Sequence, residues 1–124
     1  MLTTEELDGK YRVDSGTASG GVIVVNGDGE TEIRNGLTYR KDKNGFVWES
    51  VFTVVGPDKV QIESTVDPKS APADKFLKDA RGNLTTEVVT YRGVLDVAKI
   101  DGKLVMKGTI RHGDETTCLT LTKI

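Results

Sequence analysis

His112 is the sole histidine in the 124 residues, and it stands beside Asp114 and Glu115 in the run His112-Gly113-Asp114-Glu115. A histidine next to a carboxylate is the pairing that general-base chemistry uses, but this one sits in a glycine-containing turn with no nucleophile adjacent. The turn is therefore the preferred reading, with side chains fanning into water. Two further segments, Asn26-Gly27-Asp28-Gly29-Glu30 and Asp42-Lys43-Asn44-Gly45, echo fragments of a calcium loop. Neither has the bidentate glutamate at the required distance or the flanking helices, so both read as hairpin turns. Cys118 has no histidine or second cysteine close in sequence, which makes it a buried or half-buried structural thiol. Arg92, Asp96 and Arg111 fall on neighbouring segments and would form a surface cross-strand charge cluster. No nucleophile, base and oxyanion set can be assembled and no metal ligands gather, so the chain reads as a non-enzymatic protein with no metal and no cofactor.

A different set of residues could bind without reacting. Tyr11, Tyr39, Phe46, Trp48, Phe52, Tyr91 and Met106 all fall on the expected inward parity of their strands. In a hollow barrel they would line an apolar cavity, with phenol and indole groups able to orient a ligand. In a filled barrel, the commoner case at this size, they are core. A further segment, residues 72–80, reads as a short helix opened by Pro72, anchored by Phe76 and Leu77 and ended by Gly82. It could plug a barrel mouth or present an apolar knob to another protein.

The elements that must position these side chains are strands. Asp101-Gly102 is a tight-turn signal, and Leu104, Met106, Gly108 and Ile110 then recur with period two. After His112-Gly113-Asp114 the alternation resumes, with Thr117, Leu119 and Leu121 sharing a face. Earlier, Tyr11 and Val13 begin a first strand, and the Val22-Ile23-Val24-Val25 run suits a strand covered on both sides or meeting a partner. Thr31-Glu32-Ile33-Arg34 is a short strand before Asn35-Gly36. Phe46, Trp48, Ser50, Phe52 and Val54 line one side of a longer one. Val60, Ile62 and Val66 alternate after Gly56-Pro57-Asp58, and Val89, Tyr91, Leu95 and Val97 share a face around Gly93, which marks a bulge or bend. Leu2-Thr3-Thr4-Glu5-Glu6-Leu7 makes one capped helical turn. Seven turn signals separate about eight alternating segments, leaving no room for crossover helices. The expected fold is all-β: an antiparallel up-and-down meander of about eight strands, with the short helix near residues 72–80. It closes into a small barrel because a flat sheet would leave two long edges bare.

Length and charge bound the rest. At this length residues 1–124 form a single β-barrel domain. Seventeen basic and nineteen acidic residues are mixed along the chain, so no basic stripe offers nucleic acid a backbone contact. No apolar run approaches the roughly twenty residues of a spanning helix, which argues against a membrane span. The single cysteine and the absence of a signal-like start point to the cytoplasm.

Leu7-Asp8-Gly9-Lys10-Tyr11 resembles the opening motif of the calycin superfamily, the lipocalins and fatty-acid-binding proteins, with Tyr11 where tryptophan is usual. Ile100-Asp101-Gly102-Lys103-Leu104, then Thr109, His112-Gly113 and Cys118, are similar in order and spacing to the end of fatty-acid-binding proteins. That resemblance implies a calycin-like barrel taking a small apolar or amphipathic ligand in its interior. The arginine and tyrosine with which fatty-acid-binding proteins hold a carboxylate would fall near positions 120–122, where neither type occurs. Residues 9–11 and 21–25 also resemble small bacterial lipocalin-like regulators of the repressor type. That likeness implies the alternative, an interaction module with a filled core acting through a protein partner or a homodimer.

Overall fold

Alternating apolar residues gain most when every second side chain is drawn to one surface, and the described residues do this in eleven strands and one helical turn. In a computed structural model, which describes residues 2–19, 22–25, 29–41, 45–67, 77–78, 81, 83–85, 87–113 and 115–124, these are α1 (Thr4–Leu7), β1 (Gly9–Ser19), β2 (Val22–Val25), β3 (Glu30–Ile33), β4 (Leu37–Lys41), β5 (Val47–Gly56), β6 (Lys59–Val66), β7 (Leu77–Lys78), β8 (Leu84–Thr85), β9 (Val89–Ile100), β10 (Lys103–His112) and β11 (Glu115–Lys123). The hydrogen-bonded order is β2-β1-β11-β10-β9-β6-β5-β4, every pairing is antiparallel, and β3 lies beside β1. β1 therefore has β11 along one edge, while its other edge is shared between β3 (Gly9↔Ile33 to Arg12↔Glu30) and β2 (Gly16↔Val25 to Ser19↔Val22).

What brings β4 round to β3 is a two-residue turn. Arg34 and Leu37 exchange both backbone hydrogen bonds at 2.9 Å across Asn35-Gly36, whose φ values of 53° and 75° suit the mirror-image turn that matches strand twist. A bond of 2.8 Å between the Thr31 and Thr38 hydroxyls adds a side-chain stitch, and the ladder goes no further. The result is a nine-stranded antiparallel sheet, the eight strands of that order with β3 beside β1, that nearly closes into a barrel. Asp101 and Gly102 repeat the same turn chemistry, with φ of 52° and 78°, between β9 and β10.

One end of the barrel is plugged. α1 starts at Thr3, whose Oγ1 accepts the Glu6 backbone N–H at 3.3 Å, and it delivers a fully buried Leu7 beside buried Leu2. Tyr11, with no exposed surface, donates its phenol O–H to the Leu7 carbonyl at 2.6 Å. Beneath this cap, Val13, Ile33, Phe52, Val60, Leu95, Met106 and Leu121 fill the interior. The strand ends Ser19, Lys41, Val66, Val89, His112 and Glu115 lie at the opposite end.

The expected helix near residues 72–80 is corrected. Leu77-Lys78 is a strand, pairing Leu77↔Thr85 and Lys78↔Leu84, while Pro72 and Phe76 lie outside the described residues. A helix of about two turns with two apolar anchors falls below the length at which helices persist unaided, whereas a hairpin ladder satisfies both segments' backbone groups at once. Gly93 marks no bulge, because the registers of β9 with β6 and β10 run straight through it. Its role is close approach: a Cβ there would stand 2.5 Å from the Thr109 carbonyl oxygen. Among the described residues no helix is long and apolar enough to cross a membrane.

Candidate functional site

Toward the end opposite α1 the inward positions change character. Strand register carries one row of polar groups across six neighbouring strands: Thr38↔Ser50, Ser50↔Ser64, Ser64↔Tyr91, then His112↔Glu115. Tyr91 and His112 join the two halves of the row through ring contact, with centroids 4.3 Å apart and planes at 47°. Trp48 lies two residues before Ser50 on the same face of β5, and its ring centroid is 5.1 Å from that of Tyr91 at 42°. Both tilted contacts fall within the range in which aromatic pairs attract.

The hydroxyls in the row are paired. The Ser50 and Ser64 Oγ atoms stand 2.7 Å apart, with Ser64 buried and Ser50 half-buried. Burial pushes the Tyr91 phenol up to about 12, and the Glu115 carboxylate adds to the shift. Tyr91 thus stays a neutral hydrogen-bonding phenol across the working range of a protein. Tyr11, deep in the plugged end, is also pushed up to about 12, first by burial and then by Asp8.

The seven candidate lining residues part company here. Tyr11, Phe52 and Met106 belong to the sealed core. Phe46 packs with Val66 and Val89 in a second cluster at the end opposite α1, against which Trp48 and Tyr91 rest half-buried. Only Trp48 and Tyr91 of the seven therefore line the polar row. Tyr39 is corrected outright, since it is 69 % exposed on the outer wall. β4 faces inward through Thr38 and Arg40, the register partners of Ser50 and Trp48, and a shift of one residue in parity inverts a whole strand. Leu37 and Tyr39 look like core because apolar residues usually are, but Leu37 pairs with Val51 on the outside.

Other expectations change for the same reason. His112 does not fan into water: it completes the inward parity of Met106, Gly108 and Ile110 and packs on Tyr91. That parity was the available signal for it, hidden by the glycine that follows. Cys118 is exposed rather than buried, because Leu119 and Leu121 take the inward positions of β11. Arg111 stands opposite Arg92 across the β9–β10 register, and the surface cross-strand salt bridges take their partners from β6, with Arg92 donating to Glu63 at 2.9 Å and Lys59 to Asp96. Thr38 and Ser64, neither of them a sequence candidate, enter through register, which also brings Ser50 and Glu115 into the row.

Among the described residues no group of three or more His, Cys, Asp or Glu side chains could hold a metal ion. An open depression of about 270 Å³ lies over Gly108, lined by Asp96, Lys107, Thr109 and Cys118 among others, and it is separate from the ring contacts. Comparison of the chain with protein-family models, with curated proteins and with solved structures returned no match in any of the three.

Proposed function

We propose that this protein is a non-enzymatic, calycin-like barrel that takes a small amphipathic molecule at the end opposite α1. The observation that carries the reading is the run of Trp48, Tyr91 and His112 rings beside the Ser50–Ser64 hydroxyl pair, half-buried above a floor of close-packed apolar side chains. Rings give apolar area and a few fixed polar groups give orientation, which is the usual make-up of small-molecule sites. The free, exposed Cys118 is compatible with a reducing compartment such as the cytoplasm.

Trp48 is the single tryptophan, so its emission reports on this end alone. Titration with 8-anilinonaphthalene-1-sulfonate is expected to saturate at one probe per folded chain and to quench Trp48. Trp48→Ala is expected to weaken binding about tenfold, the scale of one lost aromatic contact. A folded chain that never takes up the probe rejects the reading.

The outer wall supports a second reading, a contact surface for another copy of the chain or a protein partner. Leu37, Tyr39 and Val51 stand exposed together on β4 and β5, and clustered exposed apolar side chains often mark interaction sites. Under this reading sedimentation equilibrium gives a dimer that Tyr39→Glu dissociates. A monomer throughout the micromolar range leaves the barrel interior as the site of action.

A further inference from the structure

The outer wall over β3, β4, β5 and β6 carries a row of side chains that complements its own reverse, and this step rests on the contact-surface reading above. Strand register sets Arg34 beside Leu37, Leu37 beside Val51 and Val51 beside Glu63. Partners across a register share a face, and here it is the outer one. The Arg34 and Glu63 side chains are 79 % and 42 % exposed, with exposed Leu37 and Val51 between them. The row therefore reads cation, apolar, apolar, anion. A two-fold axis running along the strands between β4 and β5 lays that row on its own reverse, so that Arg34 meets Glu63 of a second copy and Leu37 meets its Val51, each contact made twice. Strands about 4.8 Å apart put both charges about 7 Å from the axis, where long side chains can reach across the curve of the wall. The adjoining row agrees: Tyr39 stands opposite Glu49 on the same face, and the same axis sets the phenol, a donor, over the second copy's carboxylate, an acceptor.

We infer that the β4–β5 wall docks on a second copy of this chain, in a two-fold pair centred on Leu37, Tyr39 and Val51 and oriented by Arg34 on Glu63 of the other copy. The reversal is what points to a copy: the same row turned end for end supplies both opposite charges and the apolar middle at one spacing. Arg34 and Glu63 also have partners in their own chain, Glu32 at 2.7 Å and Arg92 at 2.9 Å. Both pairs are exposed, where an ion pair contributes little, so each charge can join a network across the contact at small cost. Two convex walls touch over a limited area, which places dissociation in the micromolar range.

Sedimentation equilibrium of the full chain and of two charge-reversal variants tests the inference. Arg34→Glu and Glu63→Arg each turn both attractions into repulsions, so either variant alone is expected to weaken the dimer about thirtyfold. Mixed in equal amounts, the two should recover it to within about threefold of the parent, because each then brings the sign that the other needs at both contacts. Urea midpoints check the folds, and recovery on mixing cannot come from a misfolded chain. A parent dimer that both reversals leave intact overturns the inference, and so do two weakened variants that stay monomeric when mixed. Loss of that dimer in Tyr39→Glu then leaves the contact-surface reading standing. A parent that is monomeric throughout the micromolar range rejects both.

Discussion

Gly108→Ala is expected to cost the barrel about 3 kcal/mol and to lower its urea midpoint accordingly, although it adds a single methyl group. A Cβ at Gly108 would run into the backbone carbonyl of Val94 and stand 3.0 Å from a Leu95 methyl, and neither can swing away as a surface side chain would. Gly93 is its counterpart on β9, with Thr109 carbonyl oxygen at 2.5 Å and an Ile110 side-chain carbon at 2.9 Å. Both glycines sit on the inner face of the β9–β10 ladder, where strands must coil tightly to bend the sheet round on itself. Gly29→Ala is the matched control. Nothing lies within 4 Å of a Cβ there, so its midpoint should stay within about 0.5 kcal/mol of the parent. A Gly108→Ala protein that unfolds with its parent would mean that β9 and β10 do not approach this closely. The expected loss is a large share of the roughly 5–15 kcal/mol that holds a domain folded.

The second large effect belongs to the plug. Leu7→Ala should destabilise by about 3 kcal/mol, because a fully enclosed leucine is replaced by a space that the rigid strand ends around it cannot collapse to fill. Tyr11→Phe removes the donor to the Leu7 carbonyl and should cost about 1–3 kcal/mol, and the two losses will not add, since both act through the same contact. The phenols also fix the behaviour in alkali. Tyr11 and Tyr91 hold their protons to about 12 in the folded chain against an ordinary value of 10.0, so the unfolded chain loses those protons first. Their contribution is whole below pH 10 and drains away as pH rises from 10 towards 12. Urea midpoints measured across that window should fall for the parent and fall less steeply for Tyr11→Phe/Tyr91→Phe. Parallel slopes would show that the phenols are not shielded.

Much of the wall could be read from residue order alone. Asp101-Gly102 and Asn35-Gly36 announce their turns because few residue pairs accept positive φ twice in succession, and the alternation in β10 and β11 fixes which face is buried. Parity failed on β4, where Leu37 and Tyr39 are the larger apolar residues yet Thr38 and Arg40 face inward. Five residues carry too short a pattern to settle the face when the neighbouring β5 sets it through register. The polar row was out of reach for a related reason. Ser50 and Ser64 lie 14 residues apart, and nothing local announces that they share a hydrogen bond until β5 and β6 are aligned. His112 was discounted because a glycine follows it, although the parity already established along β10 carried it inward. The helix expected near residues 72–80 rested on proline and glycine placement, which gives local preference but not the pairing that Leu77 finds with Thr85.

β1 gains its neighbour β11 late. Thr17 meets Thr117 across a separation of 100 residues, and the same ladder runs from Tyr11↔Lys123 to Ala18↔Thr116. On the ribosome, β1 is made some 100 residues before β11 and keeps that flank bare until β11 follows. The nascent chain can assemble hairpins in turn, but it holds an open, curling sheet until β11 has been made and slides in between β10 and β1. The barrel therefore cannot complete before β11 is available, and Tyr11 and Val13 depend in the interval on whatever shields apolar surface in the cell.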